Sequence, residues 1–180
     1  MIYPMMVPPF ELSSFDDMTK KQAQEHFDWY ISCIPERVKL LEELFNEDMK
    51  CNIKFDYSIE SLEPLWRCFE EFMRVEEETG EEFTGPLAGW GLKKGTFIVA
   101  HDISIYYGEV FSRNVPPVHW GFFNKPKVMG VNRPVLLGFR NKVNLEPVQI
   151  VLVACKKSKK KPNPRYLIEN LHVWMKYLDT

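Results

Sequence analysis

No stretch of the chain approaches the ~18 to 20 consecutive apolar residues that a membrane-spanning helix requires, so the sequence excludes one. Paired cysteines are also missing. Cys33, Cys51, Cys68 and Cys155 lie far apart with no CxxC among them, which excludes a disulfide-dense scaffold and points to reduced, buried thiols. Neither sign of charge prevails: 23 basic residues against 25 acidic ones give a formal net charge of −2, so no overall field draws the protein to nucleic acid or to an anionic membrane. Met1 to Phe10 has no basic region and is broken by Pro4, Pro8 and Pro9, so a signal peptide is not expected. The expected location is the cytoplasm.

The motifs of common chemistries are absent too. The glycines around Gly89 and Gly91 follow neither GxGxxG nor GxxxxGK[ST], so no phosphate cradle is expected. No GxSxG presents a serine nucleophile. His26, His101, His119 and His172 never meet the cysteines or one another at a ligand spacing such as HExxH, so the sequence predicts no metal site and no cofactor.

What is present is a chain of 180 residues with 45% hydrophobic and 14% aromatic residues, enough apolar surface for one core and a single domain over residues 1–180. Thr19 and Gln22 have capping-box spacing and predict a helix from Lys20, with Ala23, Phe27, Tyr30, Ile31 and Ile34 on one face. Pro35 suits the first turn of a second helix, offset from the first, whose stripe is Val38, Leu41 and Phe45. A third helix is expected after Ser58, burying Leu62, Leu65, Trp66, Phe69 and Met73. A glycine-rich stretch holding Gly80, Gly85, Gly89, Gly91 and Gly95 then reads as a loop. Beyond it Thr96 is placed to cap a helix from Phe97 to Arg113, packed through Val99, Ile103, Tyr106, Tyr107 and Val110, with Gly108 admitting a close neighbour.

From Trp120 onward Pro126, Gly130, Pro134, Gly138 and Pro147 punctuate short runs. Val135 to Phe139 and Val148 to Ala154 read as strands of an antiparallel pair. Lys156 to Lys161 reads as a solvated loop, and Asn163-Pro164 as the start of a last helix carrying Leu167, Leu171, Trp174 and Leu178. The expected class is α+β: N-terminal helices, a small antiparallel sheet in the C-terminal half, and a C-terminal helix.

Two groups of residues are candidates for function. Glu76, Glu77 and Glu78 concentrate negative charge near Trp90, an arrangement suited to steering and anchoring a basic protein partner. Asp102, Tyr106, Glu109 and Arg113 fall along one helix stripe, where two carboxylates near a tyrosine and an arginine could do acid and base work. The same stripe has a plainer reading, since Glu109 and Arg113 stand in the i, i+4 order that stabilises a helix. The lysines of Lys156 to Lys161 could contact phosphates, but no aromatic platform adjoins them, which argues against nucleic-acid binding.

Gln22 to Trp29 with Ile34-Pro35-Glu36-Arg37, Asp56 to Leu62 with Leu65-Trp66, and Asp102 to Val110 resemble segments of an uncharacterised family of small cytosolic proteins from Gram-positive bacteria. Tyr107-Gly108-Glu109 followed by Trp120-Gly121 is also similar to a helix and strand of small bacterial domains, immunity proteins of toxin systems among them. The resemblance implies a bacterial, cytosolic origin and brings no catalytic residue with it; the absence of catalytic motifs and the acidic, glycine-rich segment from Glu76 to Gly95 are what make a non-catalytic binding or interaction protein, immunity-like, the expected function. An enzyme on the Asp102 to Arg113 stripe is the alternative.

Overall fold

The computed structural model describes residues 3–84, 86–124 and 130–178; Gly85 and Pro126, two of the punctuating residues, lie outside them. Thr19 Oγ1 accepts from the Gln22 amide and Gln22 Oε1 accepts from the Thr19 amide at 2.9 Å. This capping box starts α1 (Lys20–Glu42) at the residue the spacing predicts. Pro35 does not divide α1 into two helices as its position suggests; the helix runs through it and passes into a π-helical turn at Glu43–Asp48. Pro35 is exposed, so water can satisfy the carbonyl that loses its amide partner, while Ile34, Arg37 and Val38 hold the opposite face in the core.

Ser58 caps a 3-10 turn at Ile59–Ser61, from which α2 (Leu62–Thr79) continues with Leu62, Leu65, Trp66, Phe69 and Met73 buried as their spacing requires. α3 (Lys94–Asn114) is the central element and packs against α1 and α2. Its N-cap is Lys93; Thr96 lies inside the first turn and is buried rather than capping. Val99, Ile103, Tyr106, Tyr107 and Val110 are fully buried, and so is most of the helix all round from Ile98 to Phe111. Polar residues off the apolar stripe, Asp102 and Glu109 among them, are therefore taken into the interior as well.

The sheet consists of β1 (His119–Gly121) and β2 (Val135–Leu137), antiparallel with Trp120 opposite Leu136. The indole of Trp120 lies against Gly108 of α3, where any side chain would strike the ring. Val148 to Ala154 is not the second strand: it belongs to α4 (Pro147–Lys160). Buried Pro147, Val151, Ala154, Cys155 and Ser158 follow helical spacing, and packing of that face against α3 overrides the β preference of the valines and isoleucine. The lysine run is likewise not a loop. Lys156 to Lys160 form the last turns of α4, where Lys157, Lys159 and Lys160 complement the negative end of the helix.

The last helix, α5, is Tyr166–Met175; Asn163 accepts from the Arg165 amide at 3.1 Å in the turn before it, and Leu178 lies past its end. Helices around one core cluster that runs from Tyr30 to Leu171, with a small antiparallel sheet in the C-terminal half, make an α+β fold. No helix among the described residues is long and apolar enough to cross a membrane.

Candidate functional site

Residues ahead of α1 form a strap across one face of the molecule, held at both ends. At the first end the Tyr3 hydroxyl donates to Asp102 Oδ2, and Arg37 Nη2 donates to the Pro4 carbonyl at 2.6 Å. Arg37 in turn grips Asp102, its Nε lying 3.0 and 2.9 Å from the two carboxylate oxygens and its Nη2 2.6 Å from Oδ2. The Asp102 side chain is 0% exposed and that of Arg37 7%, so this is a buried pair made continuous with the strap. Burial, then the Asp102 carboxylate, holds the Tyr3 phenol well above its ordinary range, so it stays a proton donor. At the other end Asn132 Nδ2 donates to the Phe15 carbonyl at 2.7 Å and to the Met18 carbonyl at 3.3 Å.

Between these anchors the strap roofs a cavity of about 320 Å³. Met5, Met6, Pro8, Leu12 and Phe15 form the roof; His26, Trp29 and Tyr30 of α1 and Phe97, Ile98 and His101 of α3 form the walls; Arg133, Pro134, Glu146 and Val148 close the far side. The lining is mostly apolar, with few polar groups, the usual character of a ligand site. Aromatic rings follow one another along it: Phe15 edge-on to His26 at 5.1 Å, His26 beside Trp29 at 5.5 Å, and Tyr30 edge-on to His101 at 6.1 Å.

The two histidines set this cavity apart from ordinary core. Nδ1 of His26 and Nδ1 of His101 are both shielded from solvent and find no hydrogen-bond partner among the described residues. His101 Nδ1 stands 3.6 Å from Asp102 Oδ1, beyond hydrogen-bonding distance. Burial, and then the neighbouring His101, hold His26 below the ordinary histidine value. The unfolded chain therefore takes up a proton that the folded one resists, and the stability linked to His26 is fully present above pH about 6.5 and lost as the pH falls below it. Urea unfolding midpoints are expected to decline between about pH 7 and about pH 5, with His26→Phe flattening that decline. An identical slope in the variant would count against it.

The structure does not assemble the Asp102 to Arg113 stripe into one site. Asp102 is committed to Arg37 and Tyr3. Tyr106 Oη lies 2.8 Å from Ser61 Oγ and accepts from the Tyr57 amide at 3.1 Å. Glu109 Oε2 accepts from Arg113 at 2.7 Å and its Oε1 from the Trp120 indole at 2.9 Å, while the Arg113 guanidinium covers the Tyr57 ring at 3.7 Å.

Glu76, Glu77 and Glu78 lie on the last turn of α2. Lys159 of α4 pairs with Glu77 at 2.9 Å, and Lys156 Nζ lies 4.6 Å from the centre of the half-buried Trp90 ring. Part of the acidic charge is thus met within the chain, Glu77 by Lys159 of the run Lys156 to Lys161 and Glu78 by Arg74 at 3.9 Å.

Among the described residues no group of three or more His, Cys, Asp or Glu is placed to hold a metal ion. Burial pushes the Cys68 thiol up to about 12 and raises that of Cys155 as well, so neither supplies a thiolate near neutral pH. No family model, no curated protein and no solved structure matches the chain, so the resemblance to small Gram-positive proteins gains no support from comparison.

In the sequence His26 and His101 stand out only as possible metal ligands, and nothing there marks a role for the residues ahead of α1. One signal was there: His26 stands three residues after Ala23 and four before Tyr30, on the buried stripe of α1. Nothing in the sequence brings His101 to it.

Proposed function

We propose that the chain is a non-catalytic binding protein of the reducing cytoplasm, with its ligand held beneath the N-terminal strap. The observation that carries this reading is the mostly apolar cavity of about 320 Å³ with two histidines, His26 and His101, in its lining. Four free cysteines suit a reducing compartment. Catalysis on the Asp102 to Arg113 stripe has less behind it, because each of its carboxylates is already bound to an arginine and a further donor. A protein partner at Glu76 to Glu78 and Trp90 is the second reading, favoured by the half-exposed indole and weakened by Lys156 and Lys159.

A fragment screen read by protein-observed NMR tests the first reading. Hits are expected to shift the resonances of Trp29, Tyr30 and Ile98, and to be lost in Val148→Trp, which fills the cavity from α4. Hits confined to Trp90 and the end of α2 would transfer the function to the second surface. Hits at neither place would overturn the small-molecule reading.

A further inference from the structure

The charges around the cavity are matched within the chain. Arg133 Nη1 lies 3.1 Å from Glu146 Oε1, and behind His101 the Asp102 carboxylate is held by Arg37 at 2.6 Å. Among the described residues the cavity lining thus holds no free counter-charge for an ionic ligand, which would lose its water on entry without compensation. An uncharged molecule escapes that penalty. The rings of Phe15, Trp29, Tyr30 and Phe97, with the thioethers of Met5 and Met6, favour a flat aromatic body, since aromatic edges and polarisable sulfur both pack well against a π face.

The polar part of the ligand follows from the tautomers of the two histidines. At His26 the Nδ1 atom is enclosed without an acceptor, and a proton placed there would be an unmet donor. The proton therefore resides on Nε2, which can donate to a ligand. At His101 the carboxylate 3.6 Å away draws the proton towards Nδ1 and leaves Nε2 as an acceptor. One donor on α1 and one acceptor on the neighbouring α3 match a group that carries a carbonyl beside an N–H.

We infer that the cavity takes a small uncharged aromatic molecule bearing a carboxamide-like group, its carbonyl received by His26 and its N–H by His101. This rests on the binding reading above and narrows it to a ligand class. Four probes of similar size decide it: benzamide, toluene, benzoate and benzylammonium, each titrated at neutral pH while the Trp29 indole resonance is followed. Benzamide is expected to bind at least about tenfold tighter than either ion, and His26→Phe to weaken benzamide by about fivefold, as loss of one hydrogen bond implies, without weakening toluene.

Benzoate or benzylammonium binding as tightly as benzamide would overturn the ligand class while leaving the binding site in place. An unchanged benzamide affinity in His26→Phe would also overturn it. Should that variant fail to fold, the comparison of benzamide with the two ions in the native protein decides by itself. Failure of all four probes, toluene included, to shift Trp29 would remove the binding reading along with the ligand class.

Discussion

Exchange of Asp102 for alanine is expected to destabilise the protein by about 3–5 kcal/mol, the cost of leaving a buried charge without its partner. Arg37 would remain in the interior at 7% side-chain exposure with no carboxylate to meet it, and Tyr3 would lose its acceptor. The first anchor of the strap would go with them, because Arg37 also holds the Pro4 carbonyl. Urea unfolding monitored by circular dichroism measures the loss. The double substitution Arg37→Met with Asp102→Leu should recover much of it, since an apolar pair of similar volume leaves no charge stranded. A loss below about 1 kcal/mol for Asp102→Ala would mean that the pair does not hold the fold.

Replacing Trp66 by alanine should cost a similar amount, about 3–5 kcal/mol, as expected for deleting a fully buried indole. Trp66 packs its ring against Phe69 at 5.2 Å within α2, and its Nε1 donates to Ser158 Oγ of α4 at 3.2 Å. The indole thereby joins two helices far apart in sequence. Ser158→Ala should cost less, about 1–3 kcal/mol, because it leaves the buried indole N–H without its acceptor. Comparable losses from the two substitutions would show that the hydrogen bond rather than the packing dominates at this junction.

Legibility from the sequence followed the local character of each signal. Thr19 and Gln22 lie three residues apart and make their capping box within one turn, so the start of α1 was readable to the residue. The buried faces of α2 and α3 were readable for the same reason, since the 3.6-residue spacing of Leu62, Leu65, Trp66, Phe69 and Met73 needs no knowledge of a partner. Gly108 was identified as a place of close approach, although only the fold names Trp120 as the neighbour. At Val148 to Ala154 the β-branched run pointed to a strand, and only packing of the face holding Val151, Ala154, Cys155 and Ser158 against α3 made it a helix. The acidic turn of α2 and the lysine run were each visible as charge, but their pairing through Glu77 and Lys159 spans 82 residues, the difference between their positions.

By itself the sequence determined an α+β chain with an apolar core, without a transmembrane helix, and with several helices whose starts and inward faces are dictated by neighbours within a turn or two. The tertiary structure alone decided that Asp102 meets Arg37 and Tyr3 instead of serving an acid–base stripe, because α3 is enclosed all round and a carboxylate taken inside must find a cation there. It alone also brought His26 of α1 and His101 of α3 to one cavity and laid residues before α1 across it. Contacts of this kind depend on the order in which helices pack. That order is set by the summed fit of many side chains across the core, and no short-range spacing encodes it.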